Sequence, residues 1–345
     1  MFRLTSPRAL RSNTCAAAVC ESLGSKLQYR LDWPISGPTS SEIRVKVAAT
    51  GVNFAEILQT QGLYQEKKEP PFVPGNECAG EVMELGSSVT NFKIGDRVIC
   101  LARGNGYASE VVADSRACIK LPESAASADM CEAAALLVNF GTAHLALENR
   151  ANLRQGETVL VTAAAGGVGL AAVELAKLMG AGEVIAAVGS TKKLKIAQGK
   201  GAATNGVIYE GLSDQRAVKA AIKSAAPNGV DVLVDMVGGD VLEPAIRSLN
   251  WNGRGVIVGF AGGKIPAIPA NLLLVKNVSM SGLFWGAHMI HDPTTLLKSA
   301  SKLVDWWLAG EIKPHVCEKV SLANANDAFE LLESRNSVGK VVLVP

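Results

Sequence analysis

From residue 43 to about 112 the chain reads as short apolar strands broken by turns. Ile43, Val45 and Val47 alternate with Arg44 and Lys46, the pattern of a half-buried strand. Pro70-Pro71, Pro74-Gly75 and Gly95-Asp96 punctuate the chain beyond that strand, and residues 97–101 and 108–112 are further strand candidates. This stretch predicts a β-rich unit with little helix. Near Asp129 the period changes. Residues 130–147 are rich in alanine and leucine and predict one helix, and beyond Glu157 short apolar runs alternate with helical patterns. The predicted strands cover 158–162, 183–188, 206–209, 231–235, 255–260 and 278–284. Val241, Leu242, Ala245, Ile246 and Leu249 form one helical stripe between two of them. Strand–helix alternation of this kind predicts an α/β unit with a doubly wound parallel sheet.

Past Gly286 a helix is expected with Asp292 as its N-cap and Pro293 at its first position. Leu296, Leu297, Ala300, Leu303, Val304, Trp307 and Leu308 would be its buried stripe, and Gly310 its end. A helix at 325–332 and a strand at 340–344 come after it. Because six strands already account for the parallel sheet, this last material is expected to return to the N-terminal unit. The expected organisation is therefore a β-rich domain from 26–137 and 286–345, interrupted by a nucleotide-binding domain at 138–285.

The most informative local feature is Ala163-Ala164-Ala165-Gly166-Gly167-Val168-Gly169, between the strand at 158–162 and a helical stretch. A strand, a glycine turn and a helix N-terminus in that order seat a dinucleotide pyrophosphate. Gly166 and Gly167 would let the backbone approach the phosphates, and Gly169 would let the helix pack closely. Ala164 replaces the first glycine of the usual fingerprint. At the end of the second strand, where an NAD site places Asp or Glu, the chain reads Val188-Gly189-Ser190-Thr191-Lys192-Lys193. A hydroxyl at Ser190 followed by the ammonium of Lys193 suits a ribose 2′-phosphate, which points to NADPH.

Composition narrows the rest. Net charge is +2, with no basic stripe that would mark a nucleic-acid partner. No apolar run approaches the roughly 18 residues of a membrane span. The four histidines and seven cysteines are scattered, without CxxC or HxxxH spacing, so neither a structural zinc site nor a disulfide framework is indicated. Arg3, Arg8 and Arg11 lie among Ser, Thr and Ala with no acid before Glu21, which predicts a mitochondrial leader over residues 1–25. The alternative is a basic, frayed N-terminus on a cytoplasmic protein.

Gly51-Val52-Asn53-Phe54-Ala55-Glu56, Gln61-Gly62-Leu63-Tyr64, Pro71-Phe72-Val73-Pro74-Gly75, Gly95-Asp96-Arg97-Val98, the turn at 163–169 and Asp235-Met236-Val237-Gly238-Gly239-Asp240 together resemble the quinone oxidoreductase branch of the medium-chain dehydrogenase/reductases. The resemblance runs from about residue 26 to 345. It implies a GroES-like catalytic domain, a Rossmann NADPH domain, a homodimer, and metal-free hydride transfer to a small-molecule quinone or enone. Zinc-dependent relatives carry His where this chain has Asn76, a ligand cysteine near Asn53, and a four-cysteine lobe this chain lacks. The same resemblance places Asn53 and Thr142 at the nicotinamide, Gly166, Gly167 and Val168 at the pyrophosphate, and Ser190, Lys193 and Tyr209 at the 2′-phosphate. Gly259 and Phe260 would lie at the carboxyl end of the fifth strand, and Lys340 is a further cofactor candidate. Tyr64 matches a tyrosine that acts in related enoyl-thioester reductases, so catalysis there is weighed against a loop anchor that packs under the site. The loop Arg103-Gly104-Asn105-Gly106-Tyr107 is a candidate substrate wall, Cys78 a buried small hydrophobe, and His144 a structural side chain. A 2-enoyl-thioester reductase and a non-catalytic NADPH-binding protein stay open as alternatives.

Overall fold

The computed structural model describes residues 13–345. A hairpin of β1 (Thr14–Val19) and β2 (Gln28–Pro34) leads into the long strand β3 (Glu42–Val52) and the short helix α1 (Phe54–Thr60). Strands β4 (Glu77–Leu85), β5 (Arg97–Leu101), β6 (Glu110–Asp114) and β7 (Cys118–Lys120) come next. β3 pairs with β4 on one side, and with β6 and later β15 along the other. Valines facing one way along β3 bury in a small β-core with Val82, Val98 and Val111. On the other face Arg44 is buried and donates to Glu110 at 2.6 Å.

β1 lies within the stretch over which a leader is expected. Cys15, Ala17, Ala18 and Val19 are buried, and the strand is stitched down by Ala18 N–H to the Tyr107 carbonyl (2.9 Å) and Cys20 N–H to the Phe72 carbonyl (2.8 Å). A leader ending at residue 25 would carry a core strand away with it. The small, alternating Thr-Cys-Ala-Ala-Ala-Val segment is a strand whose alanines permit close approach to its neighbours. The basic residues that suggested a leader, Arg3, Arg8 and Arg11, lie outside the described residues.

The single helix expected over 130–147 is two: α2 (Met130–Ala134) and α3 (Leu137–Leu145). α3 restarts because the buried carboxylate of Glu77 accepts the Val138 N–H at 2.9 Å, holding a first-turn donor that would otherwise continue the preceding helix. One wide turn at 146–150 then closes it, with Ala151 N–H on the Ala146 carbonyl.

The parallel sheet comprises β8 (Thr158–Val161), β9 (Glu183–Val188), β10 (Asn205–Ile208), β11 (Val230–Asp235), β12 (Leu249–Ile257) and β13 (Ser279–Gly282). Helices α4 (Gly167–Leu178), α5 (Thr191–Gly201), α6 (Gln215–Ala225), α7 (Gly239–Arg247) and α8 (Ala270–Lys276) connect them. The spatial order β10-β9-β8-β11-β12-β13 turns back on either side of β8, which creates a crevice at the carboxyl ends of β8 and β11.

After a short helix α9 (His288–His291), α10 (Pro293–Leu308) packs on α3 through Leu296, Ala300, Leu303, Val304 and Trp307. Asp292 caps it by accepting from Thr295 N–H at 3.1 Å. Leu308 of the expected stripe is exposed. β14 (Val316–Ser321), α11 (Ala325–Glu333) and β15 (Lys340–Val344) then return to the first sheet, where β15 lies against β3.

Candidate active site and cofactor crevice

The glycine turn sits where β8 runs into α4. A Cβ on Gly169 would stand 2.2 Å from the Ala163 carbonyl oxygen, so this position closes the turn on itself. A Cβ on Gly167 would stand 2.4 Å from Asn139 Nδ2, so its bareness admits a side chain from α3. Gly166 begins α4 with no side-chain cap, which leaves the first-turn N–H groups to an incoming anion. The floor is locked by Asp235, a residue whose role no local motif announces. Its carboxylate takes Thr162 Oγ1–H at 2.7 Å and Gly238 N–H at 2.8 Å, tying the ends of β8 and β11 together. Past β12, the Phe260 ring rests on Gly238, and a Cβ on Gly259 would touch the Met236 carbonyl oxygen at 3.8 Å.

Just past the carboxyl end of β9, where the ribose is expected, Ser190 caps α5, its Oγ accepting Lys193 N–H at 3.4 Å. Lys193 Nζ donates to the Arg335 carbonyl at 2.8 Å, and the Arg335 guanidinium reaches the Ala261 carbonyl at 3.2 Å. Burial raises the Tyr209 phenol, and the Arg335 charge pulls it partly back. Ser190 and Lys193 thus share one helix start, and Arg335, from the loop before β15, links Lys193 to the neighbourhood of Tyr209. Glu210 Oε2 lies 3.2 Å from where a Gly189 Cβ would be. The end of β9, acid-free in sequence, therefore has a carboxylate beside it from the turn just past β10.

At the opposite end the expected residues are spent differently. Asn53, just before α1, is 9% exposed, and its amide is already engaged. Oδ1 accepts from Lys340 Nζ at 2.6 Å, and Nδ2 donates to Glu56 and Glu77 at 3.3 Å each. Lys340 is committed within the same cluster. It is 2% exposed and its ammonium is paired with Glu77 Oε1 at 2.6 Å, with Asn139 Oδ1 at 3.5 Å. Glu56 is fully buried, and its carboxylate accepts from Asn53 N–H (2.8 Å) and from Asn76 N–H (3.1 Å) and Nδ2 (2.8 Å). Burial pushes Glu56 up to about 7, while Lys340 and Asn53 pull it down. Asn53-x-x-Glu56 is a capping-box spacing, the one sequence signal that could have found Glu56.

Thr142 is buried on α3 and its hydroxyl donates to the Val138 carbonyl at 2.6 Å, leaving its oxygen lone pairs as acceptors. Tyr64 is half-buried, edge-on to Phe284 with ring centroids 6.1 Å apart. Burial, then the charges of Glu66 and Glu56, push its phenol up to about 12, so it stays protonated as a hydrogen-bond donor. In the loop expected to face substrate, Tyr107 is wholly buried and belongs to the core. Arg103 and Asn105 adopt left-handed backbone (φ 50° and 66°), and Lys68 Nζ anchors the Arg103 carbonyl at 3.3 Å. His144 is structural, its Nδ1 2.8 Å from Ser299 Oγ.

Comparison with known proteins bears on the family, the fold and the cofactor. The alcohol dehydrogenase GroES-like domain family matches residues 39–123 and the zinc-binding dehydrogenase family residues 167–302. Rat quinone oxidoreductase-like protein 2 is 44% identical over 329 residues, covering 95% of this chain and 91% of the rat protein. This chain belongs to the quinone oxidoreductase-like protein 2 group of the medium-chain dehydrogenase/reductases. The human synaptic vesicle membrane protein VAT-1 homolog is more distant, at 31% identity over 93% of this chain and 83% of its own. Among solved structures, Escherichia coli quinone oxidoreductase complexed with NADPH superposes with a TM-score of 0.86 at 28% identity, covering 96% of this chain and all of that one. A mycobacterial relative complexed with NADPH gives 0.87 at 29% over the same share. The GroES-like and Rossmann architecture and NADPH as cofactor follow for this oxidoreductase fold.

Proposed function

We propose that this protein is a zinc-independent reductase that transfers hydride from NADPH to a quinone or α,β-unsaturated carbonyl. The observation that carries this reading is the pairing of a 2′-phosphate cluster (Ser190, Lys193, Tyr209, Arg335) with a protonated, half-buried phenol at Tyr64. When bound, NADPH supplies the hydride. The first turn of α4 holds its pyrophosphate, and the ribose cluster selects the phosphorylated cofactor. Thr142 and the face of the Asn53 side chain bound the nicotinamide end. Tyr64 donates a hydrogen bond to the acceptor oxygen as negative charge develops there. Where a metal-dependent relative would place ligands, this chain offers Asn53 and Asn76, both of whose amides are turned onto Glu56. Amides so engaged favour the metal-free reading.

The same reading includes a homodimer. β13 is the edge of the parallel sheet, and nearby Leu274 and Val275 on α8 are strongly exposed, at 79% and 67%. An unpaired edge beside an apolar patch is the kind of surface a second copy covers. Light scattering on the purified protein tests it; a monomer at micromolar concentration would refute it. No helix among the described residues is long and apolar enough to cross a membrane.

The direct test is NADPH oxidation by the full chain, β1 included, with 9,10-phenanthrenequinone and with a 2-enoyl thioester, each repeated with NADH. Fast quinone-dependent oxidation of NADPH, weak with NADH, is expected. Turnover of the thioester alone would move the assignment to an enoyl reductase. NADPH binding without turnover of either would make this a binding protein.

A further inference from the structure

The polar cluster at the junction of the two domains does not balance its charges. Glu77 has its own counterion in Lys340, at 2.6 Å. Glu56 has none in hydrogen-bond contact: its two oxygens take four N–H groups, all from the neutral residues Asn53 and Asn76. Lys68, the half-buried ammonium on the adjoining loop, donates instead to the Arg103 carbonyl. The network linked through Asn53 thus contains two carboxylates and one ammonium, with Glu56 and Glu77 each 0% exposed and Lys340 2%. A carboxylate satisfied only by neutral donors keeps its hydrogen bonds and also its field.

We propose that Glu56 sets the redox preference of the bound cofactor, its uncompensated carboxylate favouring the oxidised nicotinamide, which carries a positive charge, over the reduced, neutral one. This rests on the reading that the nicotinamide end lies against Asn53. The two cofactor forms share the adenine, both riboses, the pyrophosphate and the 2′-phosphate. Every contact at the other end of the crevice therefore cancels when their affinities are compared. What remains is the interaction of one ring charge with the buried groups beside it. In a partly buried setting such an interaction over several ångströms amounts to about a tenfold preference. The consequence for the reaction is that hydride departure, which creates the ring charge, is assisted by a group that never touches the ring. Glu56 is in this sense a positioning residue in charge rather than in space.

The experiment measures dissociation constants for NADP+ and NADPH by calorimetry at pH 8, where Glu56 is ionised, in the unsubstituted protein and in variants. Glu56→Gln is expected to raise the ratio Kd(NADP+)/Kd(NADPH) about tenfold, and Glu56→Asp, which keeps the charge, to leave it within about twofold. Lys340→Gln, which removes the positive partner, is expected to move the ratio the other way. A merely structural role for Glu56 would weaken both forms together, and an unchanged ratio in a folded Glu56→Gln protein overturns the proposal.

Should the Gln variant fail to fold, the unsubstituted protein supplies the test. The groups facing Glu56 are Glu77 on β4, Lys340 on β15, Tyr107, and Tyr64 and Lys68 on the loop after α1. Burial brings Glu56 to about 7, so the ratio is expected to rise as pH is lowered from 8 to 6, and a flat ratio refutes the proposal. Lys193→Ala is expected to weaken both forms equally. If it leaves both affinities unchanged, the placement of the nucleotide is wrong and the inference falls with it.

Discussion

The two ends of the crevice are built on opposite principles. The end expected to hold the ribose is a set of exposed and half-exposed side chains, of which Ser190, Lys193 and Arg335 each make a hydrogen bond to a main-chain atom and Tyr209 lies near the Arg335 charge. The junction end is a sealed knot in which Asn53, Glu56, Glu77, Asn139 and Lys340 satisfy one another out of contact with water. The first can release and rebind a charged ligand because water competes for every contact. The second cannot rearrange without stranding a charge. Affinity is therefore adjustable at one end, whereas geometry is fixed at the other.

The sharpest way to break that contrast is Lys340→Met. It leaves Glu77 buried without its counterion, and about 3–5 kcal/mol of stability is expected to go; chemical denaturation that shows less than about 1 kcal/mol would mean the knot is open to water. Tyr64→Phe, on the rim of the knot, is expected to lower enone reduction about 10²–10⁴-fold and to spare quinones, whose reduced anion is stabilised by its own ring. Equal loss of both activities would remove the acid role. At the ribose end, Lys193→Ala with Arg335→Ala is expected to raise Kd for NADPH by about a hundredfold, with NADH affected within about twofold and the melting temperature hardly moved.

A carboxylate outside the knot sharpens the comparison. Glu174 on α4 receives one donor, Lys313 N–H at 2.8 Å, and burial pushes it up to about 7. Its folded-state value lies above its unfolded one. The ionised form therefore burdens the fold above about pH 7, and the burden disappears as pH falls toward 4.5. Glu174→Gln keeps the acceptor and is expected to stabilise by about 2 kcal/mol at pH 8, and not at all at about pH 4.5. A pH-independent gain would mean that packing rather than charge is responsible. The smallest effect is at Glu210, whose carboxylate beside Gly189 opposes a phosphate there: Glu210→Gln should tighten NADPH by about twofold to fivefold and leave NADH nearly unchanged.

The same contrast governs how much is legible in the residues taken in order. The expected ribose and pyrophosphate positions are local: a strand, three glycines, a helix and a hydroxyl–lysine pair all lie between Thr158 and Lys193 and carry their own geometry. Period changes place the six parallel strands to within a few residues, apart from β12, which starts six residues earlier than expected. Arg335 escapes because nothing in Glu-Ser-Arg-Asn distinguishes a ligand from a solvated side chain. Asn53 and Lys340 draw attention as cofactor contacts, yet each is already committed to the other across the fold. A hydrogen-bond partner 287 positions away leaves no trace in periodicity. The break between α2 and α3 is hidden for the same reason, since the Val138 N–H is taken by a carboxylate from a distant strand.

Glu77 and its ammonium are 263 residues apart along the chain. At the usual pace of translation, roughly 5–20 residues per second, Glu77 and Asn53 are made between about 13 and 60 seconds before Lys340 exists. For all that time the first sheet lacks both the strand β15 that lies against β3 and the charge that neutralises its centre. The nascent N-terminal half thus has good reason to remain open, and the parallel-sheet domain, whose strands are all local to one another, is positioned to fold first. The charge that neutralises this cluster arrives 263 residues after the carboxylate it meets.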